Sequence, residues 1–147
     1  MMSNIIIKTK ILSDSAIVPI NQTSGSAGSD LYYNGSDIII PTMNTKLLST
    51  GICVEIPEGF VGFICSRSGL SAKHSVFVLN SPGVIDSDYR GEIKIVLHNS
   101  GTKDFQVISG MRIAQLLILP MIKAKFITHE QLTNTTRGEQ GFGSTGK

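Results

Sequence analysis

The stretch "IAQLLIL", residues 113–119, decides the fold class. Its apolar spacing would suit a helix or a buried strand. It is short, however, and it is fenced by Gly110 and Pro120. A buried helix needs about 10–12 residues or more, whereas strands of 4–8 are ordinary, so the strand reading wins.

Outward from that stretch the same kind of segment recurs between turn signals. "IIIKTKI" (5–11), "DIII" (37–40), "ICVEI" (52–56), "FVGFIC" (60–65), "VFVL" (76–79), "EIKIVL" (92–97), "FQVI" (105–108) and "IKAKFI" (122–127) all favour strands. In "IKAKFI" Lys123 and Lys125 alternate with apolar neighbours, the period of a strand with one wet face. The separators "PEG" (57–59), "SPG" (81–83) and "NSGT" (99–102) carry the residues that tight turns require. A turn or two of helix is expected only near "GLSAKH" (69–74). Many short strands with few helices predict an all-β sandwich, jelly roll or closed barrel, of a kind that hides its edges by assembly.

Totals bound the rest. The chain has 147 residues, 41% of them hydrophobic, which suits a single soluble domain. Charged residues make up 16%, the formal net charge is +2, and no block of like charges occurs. Neither a nucleic-acid nor a membrane footprint is indicated. Cys53 and Cys65 lie in apolar runs without CxxC spacing and read as small core side chains. The apolar run Ile5–Ile7 is far shorter than a secretory h-region, and no run reaches membrane-spanning length, so an intracellular location is expected. His74, His98 and His129 show no metal-ligand spacing.

Several stretches hold more polar chemistry than turns need. "GVIDSDYRGE" (83–92) crowds Asp86, Asp88, Tyr89 and Arg90 between two β runs. It reads as a solvated hairpin tip or, with Val84 and Ile85 drying the pocket, as a general-base carboxylate beside an aromatic ring. "CSRSGLS" (65–71) pairs Arg67 and Ser68 with Gly69, which suits either a capped turn or phosphate oxygens. Gln115 is a polar interruption that must find partners, and Asp30 in "SAGSDL" (26–31) could cap a turn. The tail "RGEQGFGSTGK" (137–147) combines glycines with one ring and one guanidinium.

Taken in order, "AGSDL" (27–31), "RSGL" (67–70), "GVIDSDYRGE" (83–92), "GMRIAQL" (110–116) and "RGEQGFGSTG" (137–146) resemble the five ordered motifs of the homotrimeric dUTPase family. The resemblance spans almost the whole chain. It implies a distorted jelly-roll β-barrel subunit over residues 1–136, a Gly-rich lid over 137–147, and a homotrimer whose subunits share three active sites. It further implies hydrolysis of dUTP to dUMP and pyrophosphate, with Mg2+ chelated by the triphosphate.

Residue by residue, the resemblance gives Asp86 as the carboxylate that activates the attacking water and Tyr89 as the ring against deoxyribose. Asn80 and the hairpin backbone of Gly83, Val84 and Ile85 would read uracil. Arg67, Ser68, Gly69 and Gln115 would cradle phosphates, and Asp30 would support the metal-bound water or the network around it. In the tail, Phe142 would stack on the base while Arg137, Gly143, Ser144 and Thr145 close over the phosphates. Tyr89 would leave no room for a 2′-hydroxyl, and the hairpin none for a thymine methyl.

The chain departs from the family pattern at Ser66, where proline is usual and whose loss would loosen the turn, and at Met111, where an acidic partner for Arg112 is usual. Two other readings have distinct signatures. A dCTP deaminase of the same fold would need a glutamate-centred site, and a nucleotide-sensing interaction module would order its tail without turnover.

Overall fold

In the strand Glu92–Asn99, Ile93, Ile95 and Leu97 are fully buried while Lys94 faces water. That alternation is what a sheet with one packed face demands. The computed structural model describes residues 5–141. Its strands are β1 (Lys8–Ile11), β2 (Ser29–Tyr32), β3 (Ile38–Ile40), β4 (Asn44–Glu55), β5 (Phe60–Cys65), β6 (Val76–Val78), β7 (Gly83–Ile85), β8 (Glu92–Asn99), β9 (Phe105–Val107) and β10 (Arg112–Pro120). One short helix, α1 (Ser68–His74), follows β5.

Two four-stranded antiparallel sheets form, in the orders β1-β4-β8-β6 and β2-β10-β5-β7, with a β3-β9 ribbon beside them. Their inner faces share one core: Ile64, Leu116 and Leu31 from one sheet meet Ile52, Ile95 and Leu97 from the other. This is the expected jelly-roll class, although among the described residues no ladder joins the two four-stranded sheets and the barrel stays open. No helix among them is long and apolar enough to cross a membrane.

Strand β4 serves two neighbours because it bends at Gly51. Its register against β8 shifts between Ser49 and Cys53, and Gly51 takes a positive φ of 70°. Glycine adopts that conformation without strain. A β-carbon there would also stand 2.8 Å from Ala16 Cβ. The freed Gly51 amide donates to Glu92 Oε1 at 3.0 Å, so the bend is tied to the start of β8.

The stretch at 113–119 is a strand, and eight of the nine expected strand segments occur, "FVGFIC" with the ends expected and the others with shifted ones. The ninth does not: Ile122–Ile127 lies outside any strand, with Ile122 94% and Phe126 93% exposed. Both edges of β10, which it follows, are already taken by β2 and β5. Its alternating pattern asks for a partner edge, and no described strand of the single chain pairs with it.

Candidate active site

Gln115 sits opposite Asp30 of β2 on one side and opposite Cys65 of β5 on the other. Directly paired residues point to the same face, so three neighbouring strands set these side chains in a row. The opposite face buries Ala114, Leu31, Leu116 and Ile64, which fixes the register. Above the row lies a cavity of about 520 Å³, also lined by Arg67, Ser68, Gly69, Arg112 and the turn Ser26–Gly28.

Inside it, Asp30 is held between two guanidinium groups. Arg67 Nε lies 3.2 Å from Asp30 Oδ1, and Arg112 Nη1 lies 3.2 Å from Oδ2. Arg67 Nη1 also donates to the Arg112 carbonyl at 3.0 Å. One negative charge among two positive ones leaves the cavity cationic. Gln115 Nε2 donates to the Ser66 carbonyl at 2.9 Å, which turns Oε1 towards Gly28. Arg67, not a serine, holds the N-cap position of α1, and no side chain caps its first turn. A β-carbon on Gly69 would meet only open space, so Gly69 leaves that rim bare for a close approach.

Asp86 is elsewhere. It lines a separate cavity of about 200 Å³ with Val84, Ile85, Tyr89, Glu92 and Lys94. β7 lies beside β5, but Ile85 stands opposite Gly62 while Arg67 follows Cys65 at the far end of β5, five residues or about 16 Å along the strand. One chain therefore does not bring the Asp86 hairpin and the arginine cradle together. In the single chain the hairpin is solvated, the first of the two readings that its sequence left open: Asp86 is exposed, with Val84 58% and Tyr89 43% exposed, because nothing in the single chain covers them.

Within that hairpin the geometry is still ordered. Tyr89 donates from its hydroxyl to the Glu92 carbonyl at 3.0 Å, and its ring lies where any side chain at position 91 would collide with it. Asn80 is exposed in the turn after β6, and its Nδ2 would be 3.1 Å from a β-carbon on Gly83. Val84, Ile85 and Tyr89 thus line the Asp86 cavity, whereas Asn80 and Gly83 stand at the Cys65 end of β5, since Gly83 pairs with Ile64 and Ser81 Oγ accepts from the Ser66 amide. Arg137 is exposed and donates from Nε to the Gln140 carbonyl at 2.9 Å, lining neither cavity. Phe142, Gly143, Ser144 and Thr145 lie outside the described residues.

The residues adjoining the cradle are similarly accounted for. Ser66 does not loosen its turn: its N–H donates to Ser81 Oγ at 3.3 Å and its Oγ accepts from the Val78 amide at 2.9 Å. A proline would keep φ fixed but lose both bonds. Met111 packs against the core, and the partner of Arg112 is Asp30.

Comparison with known proteins decides the family. The dUTPase family model matches residues 14–146. The chain belongs to the dUTPase family. Proteins named deoxyuridine 5′-triphosphate nucleotidohydrolase from Nautilia profundicola and Beijerinckia indica are 47% and 45% identical to it. The first match covers 96% of this chain and 99% of that protein, the second 97% and 91%. A solved structure of the Staphylococcus bacteriophage 80alpha dUTPase with dUPNHPP superposes with a TM-score of 0.89 at 27% identity, covering 97% of this chain and 99% of that one.

Against the dUTPase motifs, sequence reasoning missed two contributors. Gly28 matters because Gln115 leans on it, and Arg112 because a strand irregularity turns it into the cavity. A glycine two residues before a strand carboxylate and an arginine at a strand start were visible, yet nothing in one dimension pairs them. Among the described residues no group of three or more His, Cys, Asp or Glu could hold a metal ion. His74 instead packs on Phe105, and His98 on Phe77.

Proposed function

We propose that this chain hydrolyses dUTP to dUMP and pyrophosphate as a homotrimer with active sites shared between subunits. The observation that carries the reading is the division of the dUTPase motif residues between two separate cavities, one at the Cys65 end of β5 with Asp30 and Arg67, the other towards its Phe60 end with Asp86. Each cavity alone is half a site. A neighbouring copy that sets its Asp86 hairpin against the Asp30 cradle completes one, and three copies around an axis complete three.

The surfaces for such assembly are present. Val84, Phe63 and Leu117 lie in register across the outer face of the second sheet, and Ile122, Phe126, Ile127 and Leu132 extend from it unburied. Full burial of one such side chain contributes about 1.5–3 kcal/mol, so several together offset much of the roughly 4–15 kcal/mol cost of association.

In the assembled site, the backbone of Gly83, Val84 and Ile85, with Asn80, pairs with the uracil edge. Tyr89 packs on the deoxyribose where a 2′-hydroxyl would project. The Asp86 carboxylate accepts a proton from water as that water attacks the α-phosphorus. The bond from that phosphorus to the bridging oxygen breaks, and pyrophosphate leaves. Arg67, Ser68, Gly69 and Gln115 hold the phosphates in line.

The donor set fits a metal carried by the substrate, since the cavity presents guanidinium groups to phosphate and spends both oxygens of its one carboxylate, Asp30, on arginines. Mg2+ on the triphosphate would supply neutralisation of developing charge there. Asp30 would act on it only through the arginines it fixes. The tail from Arg137 through Phe142, Gly143, Ser144 and Thr145 would close over the bound nucleotide and exclude water.

A single assay tests the reading: dUTP, dTTP, dCTP and UTP, each with and without Mg2+, with pyrophosphate and ammonia measured. Pyrophosphate from dUTP alone, dependent on Mg2+, is expected. Ammonia from dCTP would establish deamination instead, and binding without turnover a sensor. A monomer at enzymatically active concentrations would overturn the shared site, and a chain lacking residues 137–147 that still turns over at full rate would overturn the lid.

A further inference from the structure

We infer that Arg112 is a positioning residue which, through Asp30 and through its own carbonyl, fixes the Arg67 guanidinium for the triphosphate. The inference rests on the reading above and deepens it.

Strand β10 opens with an irregularity. Arg112 pairs with Tyr32 and Ala114 with Leu31, so Ile113 is an extra residue against β2. Regular alternation would put Arg112 on the same face as Ala114, which is fully buried. The irregularity instead lets Ile113 and Ala114 both face the core, and Arg112 emerges beside Gln115 in the cavity. Re-aiming one side chain is a recurrent use of a bulge next to a site.

Once there, Arg112 meets Arg67 in two ways. Its Nη1 holds Asp30 Oδ2 at 3.2 Å, while Asp30 Oδ1 takes Arg67 Nε at 3.2 Å. Its carbonyl takes Arg67 Nη1 at 3.0 Å. Two edges of the Arg67 guanidinium are thus pinned by groups whose own places depend on Arg112. A guanidinium has five N–H donors, so three remain for a ligand, in a plane that cannot turn.

Asp30 has a side chain only 11% exposed, so its carboxylate holds its position by these contacts rather than by water. Without Arg112, Oδ2 loses its cation and the carboxylate is free to rotate about its χ angles, carrying Arg67 with it. The inference therefore assigns Arg112 an effect on phosphate affinity and none on recognition of the nucleoside.

The test uses the full-length protein with Arg112→Gln and Arg112→Lys, the α,β-imido analogue of dUTP, and deoxyuridine. For Arg112→Gln, affinity for the analogue should fall roughly tenfold, the scale of one charge-assisted hydrogen bond, with deoxyuridine affinity unchanged. Arg112→Lys should recover part of the loss, because it restores the charge without the fork. In an Arg67→Ala background, adding Arg112→Gln should weaken the analogue less than about twofold, since the route through Arg67 is already cut.

Wild-type affinity in Arg112→Gln, an equal loss for deoxyuridine, or an undiminished loss in the Arg67→Ala background would each overturn the inference. If Arg112→Gln does not fold, Arg112→Lys alone decides it, by analogue affinity that is reduced while deoxyuridine affinity is not. Failure of the wild-type protein to hydrolyse dUTP is a different result, and removes the functional reading beneath.

Discussion

A β-carbon on Gly28 would stand 2.5 Å from Gln115 Oε1. The amide of Gln115 therefore occupies space that only a glycine leaves vacant. Replacing Gly28 with alanine should push the carboxamide aside and break its bond to the Ser66 carbonyl, while the strand pairing beneath survives. Affinity for the imido analogue of dUTP is expected to drop about fivefold, in line with roughly 1 kcal/mol for one hydrogen bond, by calorimetry. Thermal stability should change little, since the displaced atom is the end of a flexible side chain.

Asp86→Asn removes the base and keeps the shape. Turnover of dUTP should fall by about 10²–10⁴-fold, the usual contribution of a positioned base, while the analogue still binds. Single-turnover release of pyrophosphate measures it, and a variant working at the wild-type rate would show that the water is activated by another group.

Gly91→Ala would place a methyl group where the Tyr89 ring and hydroxyl now lie. The ring must then tilt and give up its bond to the Glu92 carbonyl. If that ring excludes a 2′-hydroxyl, discrimination between dUTP and UTP should shrink by about tenfold, a loss of the 1–3 kcal/mol that one well-fitted group provides. The ratio of kcat/KM for the two nucleotides reports it.

Asn99 is fully buried at the end of β8, yet its amide is satisfied: Nδ2 donates to the Ile40 and Lys103 carbonyls, each at 2.9 Å, and Oδ1 accepts from the Gly101 amide at 2.9 Å. Asn99→Ala leaves those groups without partners, at about 1–3 kcal/mol for each one kept dry, so a loss of several kcal/mol is expected in denaturant unfolding. A loss below about 1 kcal/mol would mean that water replaces the amide.

Glu55 gives the pH dependence. The hydrogen bond from Lys8 at 2.9 Å, then the charge of Lys8, hold its carboxyl below the ordinary carboxylate range. A lowered folded-state value means that the pair stabilises above the unfolded value and that this contribution disappears as pH falls through the lower folded one. The pair is exposed and screened, so its effect is small. Titration of Glu55 by NMR should show the lowered value, and Lys8→Met should restore the ordinary one.

What could be read in one dimension followed local physics. The β-favouring run "EIKIVL" before the turn "NSGT" and the fencing of "IAQLLIL" by Gly110 and Pro120 marked β8 and β10. The polar β2 and the first half of β4 escaped notice because "SDLY" and "NTKLLST" carry no clean period, and their strand character comes from the partners that bond them. The segment "IKAKFI" failed in the opposite sense, having the period but no described strand paired with it.

The candidate site divides the same way. Sequence alone determined that Asp86, Tyr89, Arg67 and Gln115 belong to recognisable motifs, because residue type and order are properties of the chain. Tertiary structure decided that the motifs split between two separate cavities, and that an extra residue at Ile113 turns Arg112 onto Asp30. Register and strand order depend on which segments pair, and pairing is settled by burial across the whole core rather than by any window of neighbours.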